Sequence, residues 1–296
     1  MIKQGRRFVG LFFWGPNRMQ QGRHALLIAA HRLPSQLHRL VERLEHPRLD
    51  LFLHVDRRVD LRPFLHRNLT PVERRLPVAW NGFSLVETTL FWLRSLQTRG
   101  YRSFTYLSGQ DYPAQSVEQI LAQFDAGRDF LLDTAWSADD RTSRWGRFHV
   151  TDLNPWIRLK DRFRRKFVPS NRGIRKLPCG LEFKCGSALW TIPSRALDWM
   201  IPFLGAHPEV ERYFKNTLHS DEMFYQMVLN QSPFALEMGD HGHFIDWSRG
   251  APHPEVLNAS YLDQILPGKH LFVRKVEPDV SGDLMDRLDQ MARSNA

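Results

Sequence analysis

The chain has 296 residues, of which 42% are hydrophobic and 12% aromatic, enough apolar material for one large domain or two modest ones and too much for a disordered chain. Lysine and arginine total 41 against 32 aspartates and glutamates, a net charge of +9 that calls for an anionic partner: a nucleic acid, a phosphorylated substrate or an acidic membrane surface. Cys179 and Cys185 are the only cysteines, which excludes a disulfide framework and offers no metal-ligand spacing; two reduced thiols in a cytosol, or else one loop-closing bridge, remain.

The apolar run Phe8 to Trp14 is much shorter than the ~20 residues of a membrane-spanning helix, and no small-residue cleavage site follows it. A soluble, cytoplasmic protein is expected, with residues 1–23 a tail or first strand. Lys3, Arg6 and Arg7 ahead of the run leave open a shallow dip into a membrane interface.

Ala25 to Ala30 is a buried-strand run, followed by His31 and then by Leu33, Leu37, Leu40, Val41 and Leu44 at helical spacing. Leu49 to Val55 is a second such run, ending at Asp56. Strand, helix and strand in this order make a parallel βαβ unit, and ligands of such sheets gather beyond the strands' carboxyl ends, where His31 and Asp56 fall.

Pro77 to Trp80 reads as a short third strand, and Ser84 with Glu87 as a capping box for a helix carrying Val86, Leu90, Leu93 and Leu96. Phe104 to Leu107 is another strand, closed by a turn through Asp111, after which Ser116 and Gln119 box a further helix. Phe130 to Leu132 completes the alternating half.

From Trp136 to Lys176 periodicity is lost and basic residues crowd together, among them Arg162, Arg164, Arg165, Lys166, Arg172, Arg175 and Lys176. The stretch of about 136–180 reads as a lid or acceptor loop, or as solvated charged surface. Phe183 to Ile192 is an apolar strand holding Gly186 and Ser187, and Ser194 caps the next helix. In His219 to Ser232, Ser220 reads as the N-cap of a short amphipathic helix with Asp221 and Glu222 in its first turn, where peptide dipoles keep carboxylates ionised. Phe244 to Trp247 and His270 to Val276 are late strands, and Ser281 to Met291 is a closing helix.

The ordered series IAAHRLPSQLHRLVERL, FLHVDRR, WNGFSLVETTL, YLSGQDYP, CGSALWTIPSRAL, HSDEMFYQMVLNQSP, FIDWSRGAPHP and LFVRKVEPD resembles the core-2/I-branching β-1,6-N-acetylglucosaminyltransferases and the related peptide O-xylosyltransferases, in the form of a bacterial member. The likeness spans about residues 24 to 290. It implies an α/β, GT-A-type, Rossmann-like single domain over 24–292, with a mainly parallel central sheet flanked by helices. It also implies inverting transfer of a sugar, N-acetylglucosamine ahead of xylose, from a UDP-sugar to a glycan hydroxyl with no required metal or other cofactor. No Asp-x-Asp occurs in the chain, and the histidine of His54-Val55-Asp56 is an odd ligand for Mg²⁺ or Mn²⁺.

By the same resemblance Glu222 is the general base, with Asp111 its rival, and Asp221 stands beside it on the acceptor side. Lys275 matches the phosphate-binding lysine, while Arg249 and Arg274 are offered for a second phosphate cation that has no clear match. Asp56 is expected at the donor's nucleoside, and Ala29 and His31 at the uracil. Ser187, Trp247 and Asp111 are expected on the acceptor side, Trp247 because an aromatic face suits the apolar side of a sugar ring, and Gly186 where a missing side chain admits the sugar or permits tight packing. The animal enzymes' membrane anchor, stem and disulfides have no counterpart here, which favours a lipid-linked or nascent surface saccharide as acceptor, with the basic loop against anionic lipid. The competing class is a basic polyanion-binding protein without catalysis; nucleic acid is not expected, because no helix-turn-helix, zinc or RNP-type pattern occurs.

Overall fold

In the computed structural model, which describes residues 22–79, 82–134, 175–250 and 253–294, β1 (His24–Ala30) is the middle strand of a five-stranded sheet. Its order is β3-β2-β1-β4-β6. β2 (Leu49–Val55) and β4 (Ser103–Ser108) flank β1 in parallel, β3 (Leu69–Pro71) extends the parallel part, and β6 (Trp190–Pro193) closes the edge antiparallel to β4.

The apolar run of β1 is buried on both faces, as expected of a central parallel strand. Ala25 and Leu27 join one core with α2 (Ser84–Leu96) and α4 (Ser194–Ala206). Leu26, Ile28 and Ala30 join the other with α1 (Pro34–Arg43) and α3 (Val117–Asp125). The helical spacing read for α1 delivers Leu37, Leu40 and Val41 to that second core, with Leu44 just beyond the helix, each buried leucine contributing about 1.5–3 kcal/mol.

A second, three-stranded sheet, β5-β8-β7, joins β5 (Asp111–Pro113), β8 (Phe272–Arg274) and β7 (His243–Ile245). It starts only two residues after β4 ends, so it stands at the carboxyl edge of the main sheet. α8 (Pro278–Ser294) covers it, with Leu284, Met285 and Leu288 packed on Tyr112, Val273 and Val276. α5 (Pro208–Phe214), a 3₁₀ turn at Ser220–Glu222 and α6 (Phe224–Leu229) lie in the chain between α4 and β7, and α7 (Leu262–Ile265) between β7 and β8.

Several local expectations give way to side-chain chemistry. The third strand is Leu69–Pro71, and 77–79 form none (Trp80, the last residue of the expected strand, lies outside the described residues), because the N–H groups of Leu76 and Val78 are taken by His54 Nε2 (3.0 Å) and Asp56 Oδ2 (3.0 Å). Ser84 is no cap: it lies inside α2, and its hydroxyl accepts the Ala79 N–H. Ser194 likewise begins α4 and donates to the Tyr101 carbonyl. Ser116 and Gln119 do form both bonds of the box. Phe130 to Leu132 is only a bridge, through Leu131 to Thr191 and Gly239, and the strand read from Phe183 shrinks to Trp190–Pro193.

The tail 1–21 and the basic stretch 135–174 lie outside the described residues. Of the charges read as a loop, Arg175 instead packs its guanidinium 3.9 Å from the Tyr213 ring centre. Cys179 and Cys185 are thiols, not a bridge. No helix among the described residues is long and apolar enough to cross a membrane.

Candidate active site

The carboxyl ends of β1, β2 and β4 bring the expected donor residues together. Gly109 N–H donates to the Ala29 carbonyl at 2.9 Å and Asp56 N–H to that of Ala30, so the three strand ends are tied together in one floor. His31 projects exposed beyond it. Burial and Arg32 lower the His31 pKa while Asp56 opposes them, and Arg274 and Lys275 add to the lowering; the imidazole therefore shares one neighbourhood with all four.

Asp56 is buried and its carboxylate is already spoken for. Arg58 forks onto it at 2.9 and 2.6 Å, and the N–H groups of Arg58 and Val78 complete its bonding. Burial alone pushes this carboxyl up, yet these donors outweigh it and hold the pKa at about 2. A permanently ionised Asp56 shapes the loop after β2.

The cations of β8 are paired as well. Arg274 donates to Asp111 Oδ1 at 2.8 Å and to Ser108 Oγ, while Ser108 N–H donates to Asp111 Oδ2 at 2.6 Å. Asp111 is 0% exposed, so its oxygens face an arginine rather than a ligand. Lys275 Nζ lies 2.8 Å from Glu277 Oε1, an oxygen that also takes bonds from Arg32 and from Gln110 Nε2. Burial disfavours the Glu277 carboxylate, but Lys275 and Arg32 override it and the pKa falls. Arg249, by contrast, has a side chain 77% exposed and stands 3.4 Å from Glu255.

The acid turn is built differently. His219 enters it at φ 54°, and Ser220–Glu222 is a 3₁₀ turn, with α6 starting only at Phe224. Ser220 does not cap α6: its hydroxyl donates to the carbonyls of Phe214 and Thr217. Burial, which outweighs any dipole, pushes the Asp221 carboxyl up to about 6, so this acid ionises only as the pH approaches neutrality. Its Oδ1 is buried with no hydrogen-bond partner among the described residues. Glu222 Oε2 stands 3.6 Å from His219 Nδ1, and its carbonyl accepts the Gly186 N–H.

Tyr106 is buried in β4. Burial raises its phenol pKa, with Asp221 and Asp111 adding to the rise and Arg274 opposing it. That ring stacks on Trp190, and Trp190 meets Tyr225 of α6 at a tilt of 52°.

Of the acceptor-side residues, Trp247 stands 43% exposed just past β7, whose Ile245 pairs with Arg274. Ser187 is buried, with its carbonyl accepting from Gln226 and its hydroxyl from Leu189 N–H. A Cβ on Gly186 would come within 1.9 Å of the Asp133 carbonyl oxygen; tight packing, not room for a sugar, requires glycine there. Reasoning from sequence missed Arg32, Gln110, Glu277 and Tyr106. Arg32 follows His31 directly in IAAHRLP, and its place beyond a strand end was the available signal.

An α/β domain that gathers paired cations and a partly buried acid turn beyond its parallel strands has the make-up of a glycosyltransferase. The chain belongs to the Core-2/I-Branching enzyme family, which it matches over residues 25–265. It is similar to Xylosyltransferase 2 of Canis lupus familiaris, at 24% identity over 93% of this chain and 35% of that protein. It is similar also to Xylosyltransferase 1 of Rattus norvegicus, at 24% identity over 92% of this chain and 36% of that one, and to that of Homo sapiens, at 24%, 92% and 31%. The chain spans about a third of the length of the curated relatives it matches. A crystal structure of mouse Xyloside xylosyltransferase 1, apo form, aligns with a TM-score of 0.33 and 11% identity, over 85% of this chain and 96% of that one.

Proposed function

We propose that the protein is an inverting glycosyltransferase that moves a sugar from a UDP-sugar to a hydroxyl of a glycan acceptor, without a metal ion. The observation that carries this reading is the bonded set of cations beyond the strand ends: Arg274 is tied to Asp111 and Ser108 at the end of β4, and Arg32, directly after His31, shares the Glu277 carboxylate with Lys275. On this reading the acid turn borders the same space.

In the reaction, the acceptor hydroxyl attacks the anomeric carbon from the face opposite UDP and loses its proton to the Glu222 carboxylate. The bond from that carbon to the β-phosphate oxygen breaks, and charge builds on the diphosphate. Lys275 and Arg32, freed from Glu277 by the competing phosphates, balance that charge as fixed cations. Arg274 is tied to buried Asp111 and holds the strand end in shape, and Arg249 is too far into solvent to serve as well. Asp221 faces the acceptor side beside the base. Support for metal independence comes from Asp56 and Asp111, whose carboxylates are engaged by arginines and therefore not open to ligate an ion.

N-acetylglucosamine and xylose are both candidate sugars; the names of the relatives favour xylose. The decisive experiment is Glu222→Gln assayed with UDP-N-acetylglucosamine and UDP-xylose in excess chelator. Transfer should fall about 10²–10⁴-fold with the Kd for UDP unchanged. Undiminished transfer would move the base to Asp221, and strict dependence on added Mn²⁺ would defeat the cation argument.

A further inference from the structure

Away from the strand-end cleft, a thiol, an imidazole and a carboxylate converge from separate parts of the chain. Cys179, His207 and Glu209 place one ligand atom each within 4.8 Å of the others. Cys179 lies in the one-turn 3₁₀ helix Pro178–Gly180, in left-handed backbone at φ 41°. His207 joins the end of α4 to the start of α5, Glu209 opens α5, and His207 Nδ1 stands 3.0 Å from Glu209 Oε1. The sequence hid this group because 28 residues separate the cysteine from the histidine, outside any ligand spacing that reads as a motif.

We propose that Cys179, His207 and Glu209 bind a zinc ion, with water completing the coordination. One sulfur, one nitrogen and one oxygen donor match borderline-soft Zn²⁺ and not Mg²⁺ or Ca²⁺, which take oxygen alone. At zinc bond lengths of about 2.0–2.3 Å, tetrahedral ligands stand about 3.4–3.6 Å apart. The observed spread of at most 4.8 Å closes by about 1 Å of side-chain rotation. All three side chains reach solvent, so the ion has a path in.

The ion would tie the segment around Cys179 to the junction of α4 and α5; Arg175 already docks the same segment on the far end of α5, by its ring contact and by a 3.0 Å bond to the Tyr213 carbonyl. Both tied segments run on to the acid turn. α5 leads through Thr217 to Ser220, and the chain after Gly180 leads to Gly186, which donates to the Glu222 carbonyl at 2.9 Å. The site is thus a clip on the frame of Glu222, and its existence does not depend on the sugar-transfer reading.

With 13 histidines in the chain, zinc uptake alone is not diagnostic, so the probe is Co²⁺ added to the full-length, metal-stripped protein. One equivalent should give a thiolate-to-cobalt charge-transfer band in the near ultraviolet, and Zn²⁺ should displace it and raise the Tm. Cys179→Ser should abolish the band, and Glu209→Gln, an exposed and isosteric change, should weaken Zn²⁺ binding by about tenfold or more, as loss of even an outer-shell partner does. A wild-type protein that shows no band overturns the proposal. So does a band that survives in Cys179→Ser, or a Glu209→Gln protein with wild-type affinity.

Discussion

The end of β8 and the turn at Ser220–Glu222 satisfy their charges in opposite ways. Around β8 every ionised group named has a close counterion: Arg274 with Asp111, Lys275 and Arg32 with Glu277. In the turn, Asp221 keeps a buried oxygen without a hydrogen-bond partner among the described residues and titrates near 6. The paired region is preorganised, so the proposed diphosphate would replace one carboxylate with another anion at little reorganisation. The turn holds an acid in a poorly solvated place, where proton transfer near neutral pH is worth most.

The largest effect should come from breaking the buried pair. Arg274→Ala leaves Asp111, 0% exposed, as an uncompensated charge, and urea unfolding at pH 7 should show a loss of about 3–5 kcal/mol. Replacing both partners, Asp111→Leu with Arg274→Met, should recover most of that stability. If the double variant is no better than the single one, Arg274 matters through packing and not through its charge.

Next in size is relief of the acid turn. The Asp221 carboxyl sits at about 6 instead of its ordinary 3.8 because burial penalises the ionised form. A raised pKa means that the native state holds the proton longer than the unfolded chain does. Stability from this group is therefore complete below about 3.8 and is lost as pH rises through about 6. Asp221→Asn should stabilise the protein by about 3 kcal/mol at pH 7.5 and by almost nothing at pH 3.5, while slowing transfer. A gain of equal size at both pH values would assign it to packing instead.

How much of this was readable beforehand divides along the same line. Periodicity located β1, α1, β2 and the apolar face of α2, because burial of a repeating face is a local pattern. The strand-end positions of His31 and Asp56 followed from it. What periodicity does not carry is who bonds to whom. His54 and Asp56 take the backbone donors of 76 and 78 and displace the expected strand; Ser84 and Ser220 spend their hydroxyls on nearby backbone groups, the Ala79 amide and the Phe214 and Thr217 carbonyls; Glu277 becomes the hub of two cations. Each of these is a choice of bonding partner, which the spacing of apolar residues along the chain does not encode.

A smaller effect should separate the paired cations from the exposed one. Arg32→Ala removes a charged donor from the Glu277 hub, and the Kd for UDP should rise about tenfold or more while that for uridine stays put. Arg249→Ala, whose side chain is 77% exposed, should change the Kd for UDP by less than about twofold. The reverse ranking, read by calorimetric titration, would transfer the second phosphate contact to Arg249.

Trp247 tests the acceptor side with the least disturbance to the fold. Its ring is 43% exposed in a turn closed by the Gly250 N–H to its own carbonyl, a bond that the backbone keeps whatever the side chain. Trp247→Ala should therefore leave unfolding within about 0.5 kcal/mol of wild type. A ring under a sugar's apolar face is worth about 0.5–1.5 kcal/mol, so the acceptor KM should rise about 2- to 12-fold, with the donor KM unmoved. If donor KM rises instead, the tryptophan stands over the nucleotide and the cleft is occupied in the opposite sense. If stability drops by several kcal/mol, the ring is a packing element, and the acceptor must be sought on the Asp221 side of Tyr106, where the unpartnered oxygen waits for a hydroxyl.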